Sequence, residues 1–256
     1  MTVLERFRLD NKTALVTGGN RGLGKQMSLA LAEAGANVAI ISRRAEEANA
    51  AAGEVASATG RTCRGYACDV AVPENVDQTV SQVLKDFGKI DILVNNAGIN
   101  ARGAIDKLSV EDFRRVQETN VTGPWLLCKA LAAHFKDRRY GRVVNMGSTL
   151  SVISLPDRTP YSASKGAVLQ LTRALALEWA PYAVTVNCIM PGPFGTEMNQ
   201  VLMKDPKVYQ EFIAKIPLGR WGNLEEIGGL VVFLASDASS FITGAAIAID
   251  GGWIAH

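Results

Sequence analysis

The sequence predicts an α/β protein, a three-layer, doubly wound fold with a central parallel sheet of about seven strands. Three observations carry that reading. Short β-branched runs alternate with longer helical patterns from end to end, the arrangement that covers a parallel sheet with helices on both faces. The first run, Thr13-Ala-Leu-Val-Thr17, reads as uniformly apolar, which suits a strand buried on both sides. A glycine-rich turn then leads straight into the first helical pattern.

The elements follow in order. Leu23, Met27, Ala30, Leu31 and Ala34 recur at helical spacing, and Gly35 stands where a C-cap belongs. A second strand covers Asn37 to Ile41, a helix runs near Arg44 to Ala58, and a third strand lies near Thr62 to Cys68. Pro73 suits the first turn of a helix whose Val76, Val80, Val83, Leu84 and Phe87 share one face, with Gly88 stopping it. Ile90 to Val94 and Arg142 to Met146 read as the fourth and fifth strands. The helical stretch between them opens on Ser109-Val-Glu-Asp112, a capping-box-like start. Tyr161 to Ala180 is a strong helix, and Val184 to Ile189 and Ala245 to Ile249 complete the seven strands. The least regular stretch, Pro191 to Trp221, is expected to be a lid or substrate loop.

Composition narrows the function classes. The 256 residues suit one domain spanning 1–256, since α/β chains often reach about 250 residues as a single unit. With 48% hydrophobic and 20% charged residues the chain is of the ordinary globular kind. The 27 basic and 25 acidic residues are scattered, with no block of like charge, so neither a nucleic-acid arm nor a polybasic membrane patch is expected, and the partner is a small molecule. No apolar run reaches membrane-spanning length and Met1 to Asp10 lacks the apolar core of a signal peptide, so the expected location is the cytoplasm. Cys63, Cys68, Cys128 and Cys188 form no C-x-x-C and only His134 and His256 are available, so no metal site is expected and the thiols are read as reduced and mostly buried.

The turn Thr17-Gly-Gly-Asn-Arg-Gly-Leu-Gly24 carries the first chemistry. Gly18, Gly22 and Gly24, spaced G-x-x-x-G-x-G, let the chain turn tightly and bring backbone N–H groups and a helix N-terminus against a pyrophosphate, with Asn20, Arg21 and Leu23 in the same loop. This spacing departs from the usual G-x-G-x-x-G fingerprint. At the end of the second strand, where an NAD-binding chain places an acid for the ribose hydroxyls, the residues are Ser42-Arg43-Arg44. Charge-assisted hydrogen bonds from Arg21, Arg43 and Arg44 to a 2′-phosphate, about 1.5–3 kcal/mol each before solvent discounts them, predict NADP(H) as the cofactor.

Tyr161-Ser-Ala-Ser-Lys165 places a phenol and an ammonium one helical turn apart on one face. Lowering a tyrosine pKa from about 10 to about 7 requires ~4 kcal/mol, and a cation ~4 Å away at an effective dielectric of about 20 supplies that much. Lys165 is therefore expected to make Tyr161 a usable general acid and base.

These motifs do not stand alone. With Cys68-Asp69-Val70, Asn95-Asn-Ala-Gly98, Asn120, Ser148 and Pro191-Gly-Pro-Phe-Gly-Thr196 they occur in register with the alternating elements, and over essentially its whole length the chain resembles the short-chain dehydrogenase/reductase family in its compact single-domain branch. The resemblance implies a Rossmann-like sheet, a homotetramer and a catalytic tetrad. Ser148 would polarise the carbonyl oxygen, Tyr161 pass the proton, Lys165 lower the phenol's pKa and hold the nicotinamide ribose, and Asn120 hold a relay water. Asp69 and Val70 would frame the adenine. Asn95, Ala97 and Gly98 would line the cofactor, Pro191, Gly192 and Phe194 would also bind it, and Thr196 would meet the nicotinamide amide or a phosphate. Within the family the chain is similar both to gluconate 5-dehydrogenase-type enzymes and to 3-oxoacyl carrier-protein reductases.

The expected reaction is reversible hydride transfer between NADPH and a ketone or secondary alcohol, on a sugar-acid or polyol-like substrate or a 3-oxoacyl-like one. A catalytically idle NADP-binding sensor or scaffold is the alternative. Substrate contacts are assigned to Asn100, Ser148, Leu150, Tyr161 and Met198, with Arg102 or Arg158 as possible partners of an acidic group. Pro124 has no N–H for the carbonyl of Asn120, four residues back, which leaves that carbonyl as an acceptor for the relay water.

Overall fold

The structure, a computed structural model, describes residues 1–196 and 206–255. Its strands are β1 (Thr13–Thr17), β2 (Asn37–Ser42), β3 (Cys63–Ala67), β4 (Ile92–Asn95), β5 (Gly141–Met146), β6 (Val184–Pro191) and β7 (Ala246–Ile249). All pair in parallel, in the order β3-β2-β1-β4-β5-β6-β7. The expected seven-stranded Rossmann-like sheet is present, with each strand edge within two residues of its sequence reading. The order reverses between β1 and β4, and in doubly wound sheets the crevice beyond such a reversal is where ligands bind.

Eight α-helices of the described residues carry the crossovers and flank the sheet. They are α1 (Gly22–Glu33), α2 (Ala45–Thr59), α3 (Pro73–Phe87), α4 (Val110–Gln117), α5 (Gly123–Arg138), α6 (Thr159–Trp179), α7 (Pro206–Ile213) and α8 (Ile227–Ala235). Their ends obey local chemistry. Ser109 accepts from the Asp112 N–H at 3.0 Å in a capping box, and Gly88 ends α3 in the left-handed conformation, φ 76°. α4 joins α5 through a π-helical turn, Glu118–Thr122, which the period of the sequence did not reveal. The stretch expected to be irregular, 191–221, contains α7.

Alternate strand residues feed two cores. Val16, Ile40, Val94 and Val144 pack beneath Met27 and Leu31 of α1, Ala51 and Val55 of α2, and Val231 of α8. Leu15, Ile41, Leu93 and Val143 face Val80 of α3, Leu131 and Phe135 of α5, and Leu175 and Trp179 of α6. The central strands are buried throughout, which is why they read as apolar runs and not as alternating ones. All four cysteines are unpaired, and Cys68, Cys128 and Cys188 are buried. Among the described residues no helix is long and apolar enough to cross a membrane, and no group of His, Cys, Asp or Glu could hold a metal ion.

Candidate active site

The site lies at the C-terminal ends of β1, β4, β5 and β6. β1 runs into the glycine turn, where Gly18 (φ 60°) and Gly22 (φ 53°) adopt the left-handed backbone that disfavours any side chain. A Cβ on Gly24 would fall 2.1 Å from the Gly18 carbonyl oxygen and 2.4 Å from Asn96 Nδ2, so only hydrogen fits there. The turn is laced to the end of β4. Asn96 Nδ2 donates to the carbonyls of Thr17 (2.9 Å) and Gly18 (3.0 Å), and the N–H groups of Asn96 and Ala97 both donate to Thr17 Oγ1 at 2.9 Å. Asn96 was not singled out in the sequence, although it stands between Asn95 and Ala97, which were. Thr196 closes the other side, its Cγ2 being 3.8 Å from where a Gly22 side chain would begin. These close approaches make a backbone cradle that a pyrophosphate fits.

At the rim, Ser42 Oγ bonds the Arg44 main chain on both sides, 3.2 Å from its N–H and 2.8 Å from its carbonyl oxygen. Arg43 and Arg44 are exposed, and Arg44 pairs with Glu47. Glu47 also accepts from Asn20 Nδ2 at 2.9 Å. It is a carboxylate that the sequence reading passed over, and it holds two of the expected phosphate ligands. Asp69 Oδ1 accepts the Ala71 N–H at 3.0 Å, and Val70 is buried against Gly123. Asn95 Nδ2 is spent on Asn145 Oδ1 (2.8 Å) and Cys128 Sγ (3.6 Å), so this side chain supports the cleft from within the sheet. Gly192 donates to Ile249 at 3.0 Å, and Phe194 is buried against Gly222 beyond the end of β6. The structure thus brings Pro191, Gly192, Phe194 and Thr196 to the same end of the sheet as the glycine turn.

The groups expected to react follow β5 and lie on α6. Ser148 follows β5 and caps the short helix after it, its Oγ accepting the Leu150 N–H at 3.1 Å. The same hydroxyl hydrogen-bonds the Tyr161 phenol. Lys165, one turn along α6, is buried and donates Nζ to the Met146 carbonyl at 2.7 Å, with Nζ 5.5 Å from the Tyr161 ring centre. A chain of buried hydrogen bonds, Asn95 to Asn145 to Thr172 to the Val168 carbonyl, ties β4 and β5 to α6 and fixes the helix that carries both groups. The Asn120 side chain is fully used. Its Oδ1 accepts the Ile99 N–H (2.8 Å), and its Nδ2 donates to the Ile99 carbonyl (2.9 Å) and to Ser164 Oγ (3.0 Å). Gly98 sits between the two halves, where a Cβ would lie 3.3 Å from Asn120 Oδ1 and 3.7 Å from Lys165 Nζ.

The electrostatics differ from the sequence expectation. Burial pushes the Tyr161 phenol up, opposed by the Ser148 hydrogen bond and by the charge of Arg102. Burial pushes Lys165 down to about 8. The cation that lowers the phenol is therefore Arg102, because the lysine ammonium is turned to the Met146 carbonyl. Of the expected substrate contacts, Ser148, Leu150 and Tyr161 lie together, Asn100 has a buried Oδ1 with no partner among the described residues, and Met198 lies outside those residues.

Residues 18–254 match the family described as Enoyl-(Acyl carrier protein) reductase. The chain belongs to the short-chain dehydrogenase/reductase family. It is 40% identical to 2-dehydro-3-deoxy-D-gluconate 5-dehydrogenase of Pseudoalteromonas atlantica, covering 98% of this chain and 99% of that one. It is 37% identical to the 3-oxoacyl-(acyl-carrier-protein) reductase of Chlamydia trachomatis, over 95% of this chain and 98% of the relative. A gluconate 5-dehydrogenase of Burkholderia cenocepacia, solved in complex with NADP and tartrate, superposes with a TM-score of 0.96 at 36% identity, each chain being covered completely. These relatives are named dehydrogenases and reductases, and this chain is an oxidoreductase of the same family.

Proposed function

We propose that the chain is an NADP(H)-dependent enzyme interconverting a ketone and a secondary alcohol, with Tyr161 as the general acid and base. One observation carries the reading. The Tyr161 phenol, hydrogen-bonded to Ser148, stands one turn from Lys165 on α6, and the Lys165 ammonium lies 3.7 Å from where a Cβ on Gly98 would be, in the loop after β4. Bound NADPH supplies the hydride. Gly18, Asn20, Gly22, Leu23 and Gly24 cradle its pyrophosphate, while Arg21, Ser42, Arg43 and Arg44 meet its 2′-phosphate. Asp69 and Val70 frame the adenine. Ala97 and Gly98, supported by Asn95, line the cleft, and Pro191, Gly192, Phe194 and Thr196 form its far wall.

Ser148 Oγ and the phenol stand together, so a substrate carbonyl between them would be polarised by the first and protonated by the second. Such a paired donor is the usual means of stabilising a developing oxyanion. Lys165, one turn from the phenol, would hold the nicotinamide ribose and replenish the phenol's proton. Asn120, its amide committed to Ile99 and Ser164, offers its main-chain carbonyl to a relay water at the π-turn. The substrate is a sugar-acid or polyol-like compound or a 3-oxoacyl-like one, with Asn100, Leu150 and Met198 as further contacts. We further read the chain as a single cytoplasmic domain over 1–256 that assembles as a homotetramer. Val110, Phe113 and Trp125 are exposed on α4 and α5, as helices buried between copies would be.

The test is NADPH oxidation, followed by absorbance, over a panel of ketones, keto-sugar acids and 3-oxoacyl thioesters, repeated with NADH. Turnover preferring NADPH is expected. Arg43→Asp should shift the kcat/KM ratio at least about tenfold toward NADH, the loss of one charge-assisted contact of ~1.5–3 kcal/mol. NADPH binding without turnover across the panel would instead support a sensor or scaffold.

A further inference from the structure

Glu46 and Glu47 stand in the first turn of α2, where the positive end of the helix dipole favours a carboxylate. The Glu47 side chain does more than answer that field, because it crosses to the glycine turn. Its Oε2 accepts Asn20 Nδ2 at 2.9 Å, a bond between residues 27 positions apart, and its Oε1 pairs with the Arg44 guanidinium. Each oxygen thus holds a different donor. Glu47 is the more enclosed member of the ion pair, its side chain 35% exposed against 74% for Arg44.

Both donors belong to the proposed cofactor site, Asn20 to the pyrophosphate cradle and Arg44 to the 2′-phosphate. A carboxylate on a guanidinium uses the same fork that a phosphate needs, so the two anions must share Arg44 or exchange on it. Opening the pair is easy, since exposed ion pairs contribute little, and Glu47 does not block the site. Its charge stays nearby all the same. Two anions sharing one guanidinium stand roughly 6 Å apart, where a unit charge opposing a dianion in a water-like dielectric lowers affinity about tenfold before salt screens it. A ribose 2′-hydroxyl carries no charge to repel and can donate to a carboxylate.

Building on the NADP(H) reading above, we infer that Glu47 is a specificity-determining residue, which holds Asn20 and Arg44 before the cofactor binds and limits the preference for NADP(H) over NAD(H). Arg43 and Arg44 supply the attraction for the 2′-phosphate. Glu47 offsets part of it, while leaving the unphosphorylated ribose unopposed.

The experiment uses the full-length protein and the adenosine ends of the two cofactors, adenosine 2′,5′-bisphosphate and adenosine 5′-monophosphate, and needs no turnover. Each is titrated calorimetrically into the wild type, Glu47→Gln and Arg44→Gln. The glutamine at position 47 keeps an oxygen for Asn20 Nδ2 and removes the charge. Glu47→Gln should raise the bisphosphate-to-monophosphate affinity ratio about three- to tenfold at low salt, with monophosphate affinity within about twofold of the wild type. That gain should vanish at about 1 M salt, where the Debye length is about 3 Å. An unchanged ratio would make Glu47 only a strut for Asn20, and a lowered one would make it an aligner of Arg44. Either result, a gain that survives high salt, or equal loss of both ligands would overturn the inference. Arg44→Gln tests the underlying reading separately. A ratio that does not fall in that variant contradicts a 2′-phosphate role for Arg44, whatever Glu47→Gln does.

Discussion

Tyr161 and Lys165 are both driven by burial toward their uncharged forms, the phenol upward and the amine down to about 8. The directions have different consequences. A phenol raised above its usual range remains protonated through neutral pH and is a ready proton donor for ketone reduction. Lys165 loses its charge first as pH rises, and with it the positive charge proposed to hold the nicotinamide ribose. Ketone reduction should therefore be flat at neutral pH and fall about tenfold per unit above about pH 8, read as kcat/KM for NADPH, which reports ionisations of the free protein. A profile that stays level to pH 10 would contradict this assignment. At this scale Ser148, Tyr161 and Lys165 could be nominated from the sequence only because several short motifs, each weak by itself, occur together in register with the alternating elements. The source of the charge on the phenol was not legible. It comes from Arg102, which reaches Tyr161 only when the loops after β4 and β5 fold together, and no spacing in the chain encodes that meeting.

Among the elements, the joint between α4 and α5 bears most directly on the chemistry. A π-turn over Glu118–Thr122 puts the Gly123 N–H on the Glu118 carbonyl, and Pro124 follows with no N–H to offer the carbonyl of Asn120. Because the Asn120 amide is fully bonded to Ile99 and Ser164, any contribution to proton relay must come from its main chain. Pro124→Ala restores a competing donor. It should lower kcat about tenfold, the worth of roughly one water-mediated hydrogen bond, while leaving the NADPH Kd within about twofold. Equal loss of kcat and affinity would point to a general distortion of the helix. The proline was readable in the sequence and the π-turn was not, since one added residue in a helical turn barely disturbs the apolar period. α7 was missed for a related reason. Pro191 to Trp221 is dense in proline and glycine, and its short helix packs Tyr209 and Phe212 on Trp221, a partner that the helical period does not show.

For the whole molecule, the order of the sheet does the positioning. Placing β1 beside β4 gathers the glycine turn, the Asn96 lacing and the Gly98 corner at one crevice, and β5 then delivers Ser148 to face α6. That architecture could be read in advance because strands buried on both faces announce themselves as apolar runs separated by helical patterns. Strand ends, which depend on how far each ladder runs, moved by one or two residues. The anchors beneath the site, Asn95 with Asn145 and Thr172, could not be read as structural, because a buried amide bonded inside a sheet resembles a cleft-lining one until the fold is known.

The most direct test of this account is hydride transfer from NADPH to an accepted ketone in a single turnover, compared between the wild type and Tyr161→Phe. The predicted result is a rate lower by about 10²–10⁴, the range for removing a general acid, with the NADPH Kd changed less than about twofold. A Tyr161→Phe protein that transfers hydride at a rate near the wild type's would contradict the central claim, that this phenol delivers the proton.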